Sequence, residues 1–187
     1  MGASPPADLA AARGRIIPDV LPGPGHPPLR VLFCGINPGL LSAATGCHFA
    51  RPGNRFWPAL HRSGFTPGQL RPDQQTLLPG LGLGITNVVS RATARADELS
   101  GAELVAGGQR LRSLVCDVRP RWLAVVGITA YRVAFAEPRA VVGRQGLLLG
   151  QTRVWALPNP SGLNAHWSLP AMVAEFTRLR VAAEPGT

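Results

Sequence analysis

Two turns hold the residues whose types and spacing could do chemistry. In the first, FCGINPG (33–39), an apolar run stops at Asn37-Pro38-Gly39, and in the second, LPNPSGLN (157–164), another apolar run stops at Asn159-Pro160. An asparagine fixed between a buried strand and a proline-stiffened turn can donate and accept hydrogen bonds. It cannot serve as a strong base, because an amide takes up no proton near neutral pH. Asn-Pro is a common turn starter, and either turn alone reads as an ordinary strand-to-helix connection. The two together, in a basic chain, say more.

Composition removes several other chemistries. The chain has 187 residues and a formal net charge of +9, and all its basic residues are arginine. Without lysine there is no Schiff-base lyase and no Walker-type phosphate site; only the N-terminal amine remains as an amine nucleophile. Cys34, Cys47 and Cys116 are too few and too scattered for zinc or an iron–sulfur cluster, and no C-x-x-C occurs. Cys34 sits in an apolar run and reads as a small hydrophobe, and no disulfide framework is expected. The four histidines, His26, His48, His61 and His166, show no ligand spacing and read as surface or capping residues. GLGLG (80–84) lacks the G-x-G-x-x-G spacing and leads into a strand, so it is no dinucleotide loop. The positive charge fits a polyanionic partner, nucleic acid above all, with a solubilising surface charge as the plain alternative.

These turns must be positioned by regular elements. Residues 1–29 contain seven of the nineteen prolines and read as a partly flexible arm, of which IIPDVL (16–21) touches the body. From residue 30 to 187 the chain reads as one domain. RVLFCGI (30–36), GLGLGITNVV (80–89) and RWLAVVG (121–127) read as buried strands, and LLLG (147–150) and RVWALP (153–158) as two more. Helices are expected from about Phe56 to Phe65, around Pro72 to Leu78, over 100–120, over 129–135 with Thr129 as cap, and over 168–182 with Ser168 as cap. Ser100 and Glu103 form an S-x-x-E capping box. Gly107-Gly108 in the middle of that helix costs about 1 kcal/mol per glycine against alanine, which points to close packing against another backbone. Alternating strands and helices imply a mostly parallel sheet covered on both faces, with the ligand site beyond the carboxyl ends of its strands. No secretory signal and no apolar run near the ~20 residues of a membrane span is seen, so a cytoplasmic protein is expected.

GINPGLLSAATGCHFARPGNRFWPAL (35–60) together with LPNPSGL (157–163) resembles the mismatch-specific uracil-DNA glycosylases, relatives of thymine-DNA glycosylase. The likeness runs from about Ile16 to the last helix, with GITNVVSRAT and the ELS…GG helix as landmarks between the two motifs. It implies an α/β, three-layer αβα sandwich with a mostly parallel central sheet of four to five strands. It also implies a monofunctional enzyme that flips uracil out of G·U mismatches in double-stranded DNA and hydrolyses its N-glycosidic bond. The product is an abasic site for base excision repair. No cofactor, metal or membrane is implied, and the expected form is a monomer.

The resemblance also assigns roles. Asn37 matches the asparagine that holds the attacking water, which suits a reaction whose bond breaking is well advanced and a slow enzyme. Phe49 matches the residue stacked on the flipped pyrimidine, Ile36 offers main-chain hydrogen bonds to its edge, and Ser42 lines the pocket near C5, where bulk hinders the methyl of thymine. Asn87 stands in the pocket where close relatives often carry a basic residue. Asn159 and Ser161 contact the backbone near the lesion. Gly162, Leu163 and Asn164 match the wedge that fills the vacated stack and reads the opposite guanine; Ala165-His166-Trp167 beyond it departs from the family pattern. Arg51, Arg55, Arg91 and Arg95 lie near the motifs as candidates for phosphate contacts. Asp97, with Glu98 beside it, is the carboxylate that could assist catalysis. The rival readings are a glycosylase of broader specificity (thymine, ethenocytosine, deaminated bases) and a catalytically silent mismatch-binding DNA module.

Overall fold

The β-branched and apolar runs form a five-stranded sheet of order β2-β1-β3-β5-β4 in the computed structural model, which describes residues 9–184. The first eight residues of the expected arm lie outside the described residues. Strands β1 (Val31–Gly35), β2 (Leu83–Asn87), β3 (Trp122–Val126) and β5 (Thr152–Leu157) run parallel, and β4 (Gly143–Leu149) closes one edge antiparallel to β5. β1, β2 and β3 are buried at every position, as strands covered on both faces must be.

The pleat divides the core in two. Val31, Phe33, Ile85 and Ala124 point toward helices α2 (Phe56–Arg62) and α5 (Leu169–Ala183), where they meet Phe56, Trp57, Phe176 and Leu179. Leu32, Cys34, Leu123 and Val125 point the other way, toward α3 (Gly101–Val118) and α4 (Ile128–Ala134). This is the three-layer αβα sandwich expected. Cys34 is wholly buried and unpaired, and burial pushes its thiol well above the ordinary range.

The caps behave as their chemistry dictates. Ser100 Oγ accepts from the Glu103 N–H at 3.2 Å, and Glu103 Oε2 accepts from the Ser100 N–H at 2.9 Å. Ser168 Oγ accepts from the Ala171 N–H at 3.3 Å to open α5. Gly107 and Gly108 do meet backbone: a Cβ would lie 2.3 Å from the Val88 carbonyl oxygen at the first and 2.1 Å from that of Ala134 at the second.

Two local expectations need correction, and one element is new. α4 starts one residue early, at Ile128, with Gly127 at its N-cap at φ 141°, so Thr129 lies inside the first turn and caps nothing. β4 starts at Gly143, not near 147; its outward positions are exposed and it carries two glycines, which blunts the strand signal. A helix not anticipated, α1 (Leu40–Thr45), follows the first Asn-Pro-Gly turn and ends at Gly46. The segment before β1 packs on this frame: Ala12, Ile17, Val20 and Leu29 are buried, and Val20 and Ile85 exchange both backbone hydrogen bonds at 2.8 and 2.9 Å. Among the described residues no helix is long and apolar enough to cross a membrane.

Candidate active site

The carboxyl ends of β1, β2, β3 and β5 open into one cleft. Its larger lobe, about 590 Å³, is lined by Asn37, Ser42, His48, Phe49, Asn87, Arg51 and Leu163, with Leu9 and Ile17 from the N-terminal segment. A second lobe of about 330 Å³ shares Asn37, Phe49, Arg51 and Leu163 and adds Ile36, Asp97, Asn159 and Ser161. Residues from both Asn-Pro turns therefore face one hollow, where a parallel sheet places its ligands.

Asn37 is held by two hydrogen bonds that use both amide hydrogens. Nδ2 donates to the Arg91 carbonyl at 3.0 Å and to Thr93 Oγ1 at 2.7 Å, and that hydroxyl donates onward to the Arg95 carbonyl at 2.7 Å. A carbonyl only accepts, so the amide orientation is fixed. Among the described residues no donor reaches Asn37 Oδ1, and it remains as a free acceptor on the cleft wall. Nothing in the sequence marks Thr93 for this role; its place in GITNVVSRAT is a signal only once the contact is known.

Gly35, the last residue of β1, is the floor. A Cβ there would lie 2.6 Å from Asn87 Oδ1 and 3.2 Å from Phe49 Cζ. Its missing side chain lets a carboxamide and an aromatic ring both descend onto the strand. The Phe49 ring stacks on Phe56 with centroids 4.0 Å apart and planes at 19°, and its remaining surface lines the cleft. Phe49 has φ 53°, a left-handed conformation that costs a non-glycine residue about 1–3 kcal/mol and concentrates at functional sites. Its flanks hold it there: the Ala50 N–H donates to Ser42 Oγ at 3.1 Å, and the His48 N–H donates to Gln75 Oε1 at 2.8 Å. Ser42 is buried in α1 with its hydroxyl turned to that bond. Ile36 lies on the wall of the second lobe, and its carbonyl already accepts from the Val89 N–H at 2.9 Å.

The 159–164 loop stands at the rim. Asn159 Oδ1 accepts from the Ser161 N–H at 3.0 Å, Ser161 Oγ accepts from the Leu163 N–H at 3.3 Å, and Asn164 Nδ2 donates to the Asn159 carbonyl at 2.9 Å. Gly162 rests on Gly53, where a Cβ would come within 2.8 Å of a carbonyl oxygen. This curled frame pushes Leu163 outward, 76% exposed. A smaller hollow of about 270 Å³ behind the loop takes Asn164, His166 and Trp167.

The arginines divide. Arg51 is exposed at the mouth of both lobes. Arg55 is turned inward: its guanidinium donates to the carbonyls of Trp167, of Ser161 at 2.5 Å and of Asn164 at 2.9 Å, clamping the loop from behind. Arg91 grips Glu103 through Nε at 2.5 Å and Nη2 at 3.1 Å. That grip, with the Ser100 cap, holds the Glu103 carboxyl down at about 2. It also anchors the residue whose carbonyl holds Asn37. Arg95 pairs with Asp97 on the exposed rim of the second lobe. Glu98, beside Asp97, pairs with Arg13.

His48 corrects an expectation. It is neither a surface nor a capping residue but 1% exposed, packed between the N-terminal segment and Asn87. Burial pushes its pKa below the ordinary histidine value. Among the described residues no cluster of His, Cys, Asp or Glu is placed to hold a metal ion.

The α/β sandwich thus gathers the Phe49 ring, the carboxamides of Asn37 and Asn87, the latter buried, and the exposed Leu163 around one cleft. The sequence pattern of the uracil DNA glycosylase superfamily matches residues 22–180, most of the chain. The chain belongs to that superfamily, a group of hydrolases that act on N-glycosidic bonds in DNA.

Proposed function

We propose that this chain is a monofunctional, mismatch-specific uracil-DNA glycosylase that excises uracil from G·U pairs in double-stranded DNA, acting as a monomer, with residues 30–187 as its catalytic domain and 1–29 as an arm. The observation that carries this reading is the convergence of Asn37 Oδ1 and the Leu163 tip on one cleft. The glycosidic bond is out of reach inside the duplex, so the nucleotide must rotate out and the gap must be filled. Leu163 fills the gap, and the flipped ring enters the larger lobe against Phe49 and above Gly35. Asn37 Oδ1 accepts a hydrogen from a water and aims it at C1′. It withdraws no proton, so the C1′–N1 bond breaks ahead of attack with its electron pair leaving on the uracil anion, the water oxygen bonds the oxocarbenium-like C1′, and the water proton passes to solvent. Arg51 at the mouth meets phosphate, while Asn159 and Ser161 shape the loop that touches the backbone.

Single-turnover incubation with duplexes carrying uracil, thymine or ethenocytosine opposite guanine, and uracil opposite adenine, tests the reading. Uracil opposite guanine is expected to be released fastest, because the weaker pair opens at lower cost. Thymine is expected to lag, because its methyl meets the wall that carries Ser42. Comparable release of ethenocytosine or thymine would instead favour the broader glycosylase. Tight G·U binding with no alkali-labile product would make the chain a silent mismatch binder.

Truncating the tip separates flipping from chemistry. Leu163→Ala is expected to slow uracil release from the G·U duplex about tenfold or more, since an apolar wedge offsets an unstacking cost of about a few kcal/mol. On single-stranded uracil DNA, where no stack needs filling, the same variant should match the wild type. An equal loss on both substrates would remove the wedge role.

A further inference from the structure

His48 makes no hydrogen bond to Asn37 or Leu163, yet it is buried against a carboxamide on the cleft floor. Its Nε2 lies 3.0 Å from the Pro18 carbonyl oxygen and its Nδ1 lies 3.3 Å from Asn87 Nδ2. A carbonyl only accepts, so the ring proton sits on Nε2. The neutral ring then offers Asn87 a lone pair and nothing else, which obliges Asn87 to turn its NH2 toward it. Burial, which disfavours the imidazolium, outweighs the opposing hydrogen bond to the Pro18 carbonyl and the weaker field of Asp19, and favours the neutral ring.

The frame around the ring leaves it little freedom. Val20, two residues after Pro18, is bonded both ways to Ile85, and Asn87 is two residues beyond Ile85. The His48 carbonyl accepts from Trp57 Nε1 at 3.2 Å, and its N–H donates to Gln75 Oε1 at 2.8 Å. The N-terminal segment, the imidazole and the end of β2 therefore form one hydrogen-bonded unit. One N–H of Asn87 is committed to His48. The other N–H and Oδ1, which lies over Gly35, are left to the cleft.

Resting on the assignment of this cleft to a flipped uracil, we propose that His48 is a positioning residue that sets base specificity by fixing the orientation of the Asn87 carboxamide. In the fixed orientation Asn87 shows a donor beside an acceptor. Uracil answers with the O4 acceptor beside the N3–H donor. Cytosine offers the opposite order, an N4–H2 donor beside the N3 acceptor, and pairs only with a carboxamide turned through 180°. Cytosine is the ordinary partner of guanine, so the orientation rejects the base an enzyme probing G-containing pairs meets most often.

The test is a double-mutant cycle read by single-turnover release from G·U and G·C duplexes, with wild type, His48→Phe, His48→Asn, Asn87→Ala and His48→Phe/Asn87→Ala. His48→Phe is expected to slow uracil release about tenfold, the size of one misdirected buried hydrogen bond, and to narrow the preference for uracil over cytosine. His48→Asn, which keeps an acceptor near the place of Nδ1, is expected to recover most of both. In the Asn87→Ala background His48→Phe should cost nothing more, because His48 acts through Asn87. Additive losses, or an unchanged preference in His48→Phe, overturn the proposal. Ring 15N shifts of the wild type give a check that needs no variant: a proton on Nδ1 overturns it whatever the rates. A wild type inert on the G·U duplex fails the assignment of the cleft and this proposal with it, whereas an active wild type with additive losses fails the role of His48 alone.

Discussion

Asn37→Ala will lower single-turnover release of uracil from a G·U duplex about 100- to 1,000-fold, while duplex affinity measured by fluorescence anisotropy stays unchanged. The expectation rests on how the amide is held. Both Nδ2 hydrogens are spent, on the Arg91 carbonyl at 3.0 Å and on Thr93 Oγ1 at 2.7 Å, so the one free polar atom is the acceptor Oδ1. Alanine removes that acceptor together with the two amide hydrogen bonds to the Arg91 carbonyl and Thr93 Oγ1, while the backbone bonds of β1 are kept. Thr93→Val takes away one of the two anchors and keeps Oδ1, so its loss should fall between wild type and Asn37→Ala. An aspartate would set a carboxylate oxygen against the Arg91 carbonyl, so the site is built around an amide. The carboxylate that lines the second lobe, Asp97, is exposed and already paired with Arg95. Its replacement by asparagine should therefore change the rate far less than the loss of Asn37. Equal rates for Asn37→Ala and wild type would remove the water-aiming role altogether.

What the chain reveals before folding follows from how local each signal is. β1 and β3 were legible because an apolar run between turn residues has few other fates, and the capping box of α3 because Ser100 and Glu103 are three positions apart. Helix α1 was hidden because six residues show less than two turns of periodicity and follow an Asn-Pro-Gly stop. The shared cleft of Asn37 and Leu163 was legible at one remove, since a parallel sheet brings the ends of its strands together. Side-chain direction was not. Arg55 looked like a phosphate contact because it is basic and near a motif, but its partners are carbonyls of the loop 106 to 112 positions away. His48 has its partners 30 and 39 positions away, and nothing in its neighbours announces burial. The residues that orient others are thus the ones a linear reading passes over.

Gly108→Ala will destabilise the fold by about 3 kcal/mol, at about 2–4 °C per kcal/mol a fall in Tm of about 10 °C. In an exposed helix the same change would stabilise by about 1 kcal/mol. The sign reverses because the added methyl would sit 2.1 Å from the Ala134 carbonyl oxygen on α4, inside any tolerable contact, with backbone on both sides of the collision. Gly107→Ala meets the Val88 carbonyl oxygen at 2.3 Å and should cost a similar amount. The two variants then part on activity. Val88 follows Asn87 directly, and Arg110, one turn along α3 from Gly107, donates to the Asn87 carbonyl. Moving α3 away from Val88 therefore loosens the end of β2 that carries Asn87 into the cleft, whereas moving it away from Ala134 disturbs only α4. Below their melting points, Gly107→Ala should release uracil more slowly than Gly108→Ala. A rise in Tm for either would refute the close approach, and equal activity would show that β2 keeps its place without α3 behind it.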